Sequence, residues 1–102
     1  MTDKELLEFA AKAGGYLYED ETLRNDDTGF NYAGWNPLAD DGDALRLAVL
    51  LEIDLIVGTG AKFVTTRTHV EQINEYLYAQ DKYAASRRAI VRAAAEIGRS
   101  MK

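Results

Sequence analysis

The sequence predicts a single α+β domain with three helices and a small, mainly antiparallel sheet. Three segments combine a helix-start residue with apolar side chains at helical spacing. Short β-rich runs between them are bounded by turn residues, chiefly glycine, asparagine and aspartate. A chain of 102 residues that is 47% hydrophobic has the size and apolar content of one domain, 1–102, with a modest core of its own.

The first helix is predicted over Asp3–Ala13. Thr2 is followed three residues later by Glu5, which is the spacing of a capping box, in which each residue satisfies a free backbone N–H of the other. Apolar residues recur along one side of the segment, and Gly14 and Gly15 then end the helix. The prediction therefore rests on a start signal, a periodicity and a stop signal.

The strands are predicted in two regions, roughly 16–33 and 53–66. Tyr16–Tyr18 alternates around an apolar centre, and the turn residues at 25–29 predict a hairpin across 22–34. In the second region, two β-rich runs flank a glycine-rich break and predict another hairpin. We expect these strands to form one antiparallel sheet.

Residues 69–78 fit either a further strand of this sheet or a helix. Val70, Ile73 and Leu77 are spaced as a helical stripe, whereas the tyrosines on both sides of Leu77 favour a strand. His69 is the only histidine, so no histidine pair can bind a metal. Because no nucleophile lies near it in the sequence, we interpret His69 as a surface or strand-end residue and not as a catalytic base.

The stretch Trp35–Leu51 is the segment around which we expect the domain to be organised. Pro37 prevents a helix from running through the start of the stretch. The helix that follows, over about 42–52, is apolar on nearly every side. A helix of that character is typical of a buried position, so we expect it to be the central helix, covered on more than one face.

Asp40, Asp41 and Asp43 have two interpretations. As helix-start residues they accept hydrogen bonds from free backbone N–H groups and favour the positive end of the helix dipole. As a metal or acid–base cluster they would need suitable spacing, but a calcium loop with Gly42 as its sixth residue would begin at Pro37. We therefore prefer the helix-start interpretation and predict no catalytic residues, no metal site and no cofactor.

The third helix is predicted to begin after Asp81, a good N-cap residue, and to run to about Gly98 or beyond. One side is predicted to be apolar and carries Tyr83, Ile90, Ala94, Ile97 and Met101. The arginines of this helix either engage phosphate groups or an acidic partner, or form a solvated face. Together with Trp35, which is more typical of a core or interface anchor, they are the candidate ligand-binding residues: Arg87, Arg88, Arg92 and Arg99.

The net charge of −5 is unevenly distributed. Residues 1–60 hold thirteen acidic and four basic residues (−9), and residues 61–102 hold four acidic and eight basic residues (+4). An acidic chain is a poor general nucleic-acid binder, although the basic half could form a local binding patch. The uneven charge equally suits attraction between two ends of the fold or between two subunits. The absence of cysteine excludes disulfides and thiolate chemistry, and no run is apolar or long enough to span a membrane, so we expect a cytoplasmic protein.

Two blocks, Trp35–Val49 (WNPLADDGDALRLAV) and Tyr83–Gly98 (YAASRRAIVRAAAEIG), carry a family resemblance. In this order they resemble the phage ABA-sandwich domain family, a group of small prophage-encoded proteins. The resemblance implies an α-β-α sandwich and an origin in phage DNA, and hence the cytoplasm of a bacterial host. The family has no established activity, so the resemblance implies no catalytic residues.

The sequence is consistent with two functions of different classes. The first is a non-enzymatic phage accessory protein that acts by binding, as a homodimer or with a host or phage protein as partner. The second is a binder of a small anionic ligand, such as a nucleotide signal in host defence, through the C-terminal arginines and the tyrosines available for stacking. An enzyme that uses the three aspartates with a metal is the weakest alternative.

Overall fold

A computed structural model of the chain describes residues 1–19, 22–25, 31–32, 35–58, 62–77 and 81–101. The α+β class, with three helices and antiparallel strands, is confirmed. In chain order the elements are α1 (Asp3–Ala13), β1 (Tyr16–Glu19), β2 (Thr22–Asn25), β3 (Asn31–Tyr32), α2 (Asp41–Leu50), β4 (Asp54–Ile56), β5 (Phe63–Arg67), β6 (Gln72–Tyr76) and α3 (Lys82–Ser100).

The strands form two three-stranded sheets in the described part of the chain, β1-β2-β3 and β4-β5-β6, where the sequence analysis expected one. Every pairing is antiparallel and joins strands that are neighbours in the sequence. In the described residues each region pairs only within itself, and α2 lies between β3 and β4 in the sequence. The ambiguous segment 69–78 contains β6 and is therefore a strand; the turns at 26–30 and 59–61 lie outside the described residues.

The element that organises the fold is α3, which packs against α1, α2, β5 and β6. It is rich in alanine, and small side chains let other elements approach its backbone closely. At Gly98 a β-carbon would overlap the carbonyl of Phe9 in α1, so the two helix backbones are nearly in contact. The central helix is thus α3, and the expectation that α2 holds this position is wrong. The buried residues of α3 are Ala85, Ala89, Ile90, Val91, Ala93, Ala94, Ala95, Ile97 and Gly98.

Helix α2 buries only one side, although its sequence is apolar all round. Its buried residues are Ala44, Leu47 and Ala48, whereas Leu45 and Val49 are 62% and 69% exposed. Of the described elements, α3 is the one that packs extensively on α2. The helix therefore leaves an apolar strip on the surface of the chain.

The predicted helix starts are confirmed. Thr2 and Glu5 form the reciprocal capping box of α1, with 3.1 Å for each of the two backbone-to-side-chain hydrogen bonds. Asp40 and Asp81 are the N-caps of α2 and α3, and each accepts a hydrogen bond from the backbone N–H three residues later. These contacts depend only on residues close in sequence, which is why the sequence reveals them.

The end of α2 differs from the prediction, because the helix stops at Leu50. Glu52 adopts a left-handed backbone with φ of 54°. Its N–H donates to the Val49 carbonyl at 3.3 Å, and the N–H of Ile53 donates to the Ala48 carbonyl at 2.9 Å. This pair of bonds is the Schellman arrangement, in which glycine usually occupies the left-handed position.

The β4-β5-β6 sheet lays one face on α3. Thr66 of β5 is fully buried and donates its hydroxyl hydrogen to the Ala89 carbonyl at 3.2 Å. Because side chains alternate along a strand, Phe63 belongs to the opposite face, where its ring meets that of Tyr76 edge-on at a centroid distance of 5.5 Å. The even-numbered side chains of β5 therefore point toward α3, and the odd-numbered side chains point to the opposite face of the sheet.

Candidate functional site

Three of the predicted ligand-binding arginines line one groove. Arg88, Arg92 and Arg99 lie along one side of α3, at spacings that return to the same helix face. The groove has a volume of about 400 Å³ and is closed by the start of α1 and by β6. We call it the arginine groove; its other lining residues are Met1, Leu6, Glu71, Ile73, Glu75 and Glu96.

The arginine groove carries both signs of charge. The carboxylate of Glu75, whose side chain is only 13% exposed, pairs with Arg88 at 3.1 Å and with Arg92 at 2.6 Å. Arg88 also pairs with Asp3 at 3.1 Å, and Arg99 lies 3.6 Å from Glu96. An incoming anion would have to compete with these carboxylates, above all with Glu75, for the guanidinium groups.

Arg92 also contacts the backbone of β6. Its Nη1 donates to the carbonyl of Asn74 at 3.3 Å as well as to Glu75. A single guanidinium thus neutralises a carboxylate and binds a strand carbonyl. This side chain ties α3 to the outer edge of the sheet.

Arg87 lies on another side of α3 and does not join the groove. Its Nε donates to the Leu38 carbonyl at 2.9 Å, and its Nη1 pairs with the Asp41 carboxylate at 2.6 Å. Successive helical residues are rotated by about 100° around the axis, so Arg87 and Arg88 reach different neighbours. Arg87 therefore joins α3 to the acidic start of α2, which is one form of the internal charge attraction that the sequence predicts.

The segment before α2 uses its polar groups internally. The N–H of Asn36 donates to the Asp43 carboxylate at 3.0 Å, and the Asn36 side-chain oxygen accepts from the N–H of Leu38 at 3.0 Å. Asp43 also pairs with Arg46 at 2.7 Å. Trp35 lies half-buried against the main core cluster, outside the arginine groove. The aspartates thus serve the turn and the helix start, as the preferred interpretation holds.

No cluster suited to a metal ion occurs in the parts of the chain that the structure describes. His69 is exposed, in the turn between β5 and β6, which agrees with its interpretation as a surface residue. The glycine-rich break at 58–60 lies partly outside the described residues, and the element that follows it is β5, a strand. Glycines after a strand can form a phosphate-binding loop, but such a loop needs a helix N-terminus directly after it. Because β5 is a strand, the described residues do not favour a phosphate-binding loop here.

A second surface, which the sequence does not predict, is apolar. Leu45 of α2, Leu55 of β4 and Tyr83 of α3 line a groove of about 290 Å³, and Val49 lies one helical turn beyond Leu45. Tyr83 is 70% exposed, although its helical position predicted burial. We call these four residues the α2–β4 face. The available signal was the all-round apolar character of α2 in a chain too short to cover it.

Within the described ranges no helix has both the length and the apolar character needed to cross a membrane. Comparisons of the chain with protein-family models, with curated proteins and with solved structures find no match. The described residues offer two surfaces for binding, the arginine groove and the α2–β4 face.

Proposed function

We propose that this chain is a phage accessory protein that acts by binding in the cytoplasm of its bacterial host, as a homodimer formed through the α2–β4 face. The observation that carries the proposal is the exposure of Leu45, Val49, Leu55 and Tyr83 on one side of the molecule. Contiguous exposed apolar surface of this kind marks interaction sites in soluble proteins. The phage origin is supported by the resemblance of the blocks at 35–49 and 83–98.

The extent of the surface suits a protein partner. The face covers an area spanned by four exposed side chains from three elements, α2, β4 and α3, and Leu45, Val49 and Tyr83 are each more than 60% exposed. A small ligand would cover only part of such an area. The dimensions therefore favour a macromolecule over a metabolite at this face.

A second copy of the chain is a suitable partner on electrostatic grounds. The four residues of the face are uncharged, and the charged groups at its edge, Asp41 and Arg87, already neutralise each other at 2.6 Å. Two identical faces can therefore meet without opposing like charges. Self-complementarity of this type is what a two-fold interface requires.

The proposal is non-enzymatic. The carboxylates of Asp40 and Asp43, the candidates for acid–base or metal chemistry, accept hydrogen bonds from the backbone at the start of α2. A carboxylate used in this way supports the fold. Binding through an apolar face requires no such group.

Light scattering coupled to size-exclusion chromatography at micromolar concentration tests the proposal. We expect twice the chain mass of 11.3 kDa for the wild type. Leu45→Asp and Val49→Asp should each give the monomer mass, because both side chains are exposed in the single chain and a charge there opposes association. Val70→Asp, at an exposed apolar residue in the turn before β6, is the matched control and should stay dimeric.

Two results would contradict the proposal. One is a wild-type monomer at all concentrations up to about 100 µM, above the range in which standard-size interfaces dissociate. The other is a dimer that Leu45→Asp and Val49→Asp leave unchanged, because the α2–β4 face would then lie outside the interface.

A second candidate function is the binding of a small anionic ligand, such as a nucleotide signal, in the arginine groove. Three arginines and a volume of about 400 Å³ favour it, and the competing carboxylate of Glu75 opposes it. A ligand that binds only the native state raises the melting temperature, so a thermal-shift series with nucleotides and cyclic nucleotides is the test. Glu75→Gln should enlarge the shift; no shift in either protein at millimolar ligand would exclude the candidate.

A further inference from the structure

We propose that two copies join edge to edge through β4, whose backbones pair antiparallel about a two-fold axis at Leu55. The two β4-β5-β6 sheets then form one six-stranded sheet. This inference rests on the proposed homodimer and specifies its geometry. It follows from which backbone groups of the sheet are already used and which are exposed.

The pairing of β5 with β6 fixes which way each backbone group points. The N–H of Leu77 donates to the Lys62 carbonyl, and the N–H of Thr68 donates to the Glu71 carbonyl. Both pairs continue the register between β5 and β6. Since hydrogen-bonded pairs alternate along antiparallel strands, the even-numbered residues of β5 bond to β6 and the odd-numbered residues bond to β4.

The same alternation identifies the exposed backbone groups of β4. Asp54 and Ile56 stand opposite odd-numbered residues of β5, so their backbone groups point into the sheet. Leu55 stands opposite Thr66, an even-numbered residue, so its N–H and carbonyl point away from β5. Leu55 therefore offers one donor and one acceptor on the outer edge of β4.

The opposite edge of the sheet is partly blocked. Asn74 of β6 stands opposite Thr65, so its carbonyl points outward, and Arg92 donates to it at 3.3 Å. Glu75 fixes the same guanidinium at 2.6 Å. An approaching strand would have to displace this pair of contacts at β6, whereas β4 presents no such obstacle in the part of the chain that the structure describes.

The side chains around the open edge are apolar. Leu55, Ile56 and Val57 are consecutive and 41%, 41% and 46% exposed. An exposed apolar edge strand without a charged or proline residue at its centre pairs readily with another strand, and monomeric proteins usually protect such an edge. The composition of β4 thus matches a strand that is buried by association.

The register with its axis at Leu55 pairs the whole of β4, Asp54–Ile56, with the whole of β4 in the second copy. With the axis at Leu55, the two Leu55 residues exchange N–H and carbonyl, and Asp54 faces Ile56 of the second copy. An axis at Asp54 would oppose two carboxylates, and an axis at Ile56 would pair Leu55 with Val57, which lies beyond the end of β4. Leu55 and Leu45 line one groove, so this register also sets the exposed strip of α2 beside the same strip of the second copy.

Leu55→Pro tests the backbone pairing, with Leu55→Ala as its matched control. Both variants lose the leucine side chain, but only proline removes the N–H. That N–H has no role in the ladder of the single chain, and proline is tolerated at such edge positions. We expect the dimer dissociation constant of Leu55→Pro to exceed that of Leu55→Ala by about 10- to 100-fold, because two hydrogen bonds are lost per dimer. Equal dissociation constants would overturn the β4 pairing.

Amide hydrogen exchange on the wild type tests the same point without a variant. We expect the amide of Leu55 to exchange slowly in the dimer and quickly in the Leu45→Asp monomer, while the amide of Ile56, which points into the sheet, is protected in both. A wild-type dimer with fast exchange at Leu55 would overturn the β4 pairing and leave the proposed dimer intact. A wild-type monomer at every concentration would overturn both.

Discussion

Arg87 joins α3 to α2: its Nη1 lies 2.6 Å from the Asp41 carboxylate, and its Nε donates to the Leu38 carbonyl at 2.9 Å. One partner is an exposed charge and the other a partly buried backbone carbonyl. The guanidinium also lies beside the α2–β4 face, so it places Leu45 relative to Tyr83. Arg87, which the sequence suggests as a ligand-binding residue, thus fixes the relative positions of residues in the proposed interface.

The two partners of Arg87 should contribute unequally to stability. We expect Arg87→Ala to lower the free energy of unfolding by about 1–3 kcal/mol, because it leaves the Leu38 carbonyl without its donor. Asp41→Ala should cost less than about 1 kcal/mol, because an ion pair with an exposed carboxylate contributes little. Urea unfolding of both variants measures the difference. Equal losses would show that the ion pair, and not the carbonyl contact, is the stabilising element.

Two glycines should differ in their tolerance of alanine. Gly98→Ala should lower the free energy of unfolding by about 1–3 kcal/mol or more, because the added methyl overlaps the Phe9 carbonyl and forces α1 and α3 apart. At Gly42, in the first turn of α2, a β-carbon would meet side-chain atoms, the Asp40 carboxylate at 3.2 Å and the Arg46 guanidinium at 3.3 Å, and a shift of a few tenths of an ångström relieves both contacts. Gly42→Ala should therefore be neutral or stabilise by up to about 1 kcal/mol. Thermal unfolding compares the two, and a tolerated Gly98→Ala would contradict the close approach of α1 and α3.

Glu52 is a site at which glycine should stabilise the protein. Its φ of 54° is costly for a residue with a β-carbon. Glu52→Gly should raise the free energy of unfolding by about 0.5–1 kcal/mol, since glycine is the usual residue at this position of a Schellman motif. Glu52→Ala keeps the β-carbon and is the control. A gain in the alanine variant as large as in the glycine variant would assign the effect to the removed charge.

The capping box of α1 should make stability depend on pH in acid. The hydrogen bonds that Glu5 accepts from the Thr2 backbone and hydroxyl lower the pKa of Glu5 below its ordinary value of 4.5. A carboxyl with a lowered pKa contributes stability that is present above its unfolded pKa and is lost as the pH falls through the folded pKa. The stability difference between the wild type and Glu5→Gln should therefore be constant near neutral pH and change below pH 4.5.

A Thr2→Ala background provides the control for this pH dependence. It removes the hydroxyl that donates to Glu5, so the acid-dependent difference should shrink. Chemical unfolding between pH 3 and 7 gives both curves. If the acid-dependent stability difference had the same size with and without the Thr2 hydroxyl, the hydrogen bond from that hydroxyl would not be its cause.

The sequence predicts the parts of the fold that depend on neighbours a few residues apart. The N-caps at Thr2, Asp40 and Asp81 each act over three residues, so spacing alone identifies them. The hairpin of β4 and β5 likewise joins adjacent runs. These local signals place all three helices near their observed bounds.

The sequence does not predict which element packs against each apolar or charged surface. The apolar pattern of α2 shows that its side chains favour burial, but not that Leu45 and Val49 stay exposed in the single chain. The arginines illustrate the same limit, because Arg87 and Arg88 are adjacent in sequence and reach Asp41 and Glu75 on different elements. Their partners follow from the packing of α3, which no periodicity encodes.

The contact of Arg92 with the Asn74 carbonyl has a consequence for how many copies can assemble. A protein whose β-sheet has two open edges can add further copies at both edges and grow into a fibre. In the β4-β5-β6 sheet the β6 edge carries a guanidinium, so β4 is the more accessible of the two edges of this sheet. Pairing at β4 consumes that edge in both copies at once and leaves a guanidinium at each end. The proposed pairing would thus stop at two copies of this sheet, and a side chain far from the proposed interface would hinder further growth.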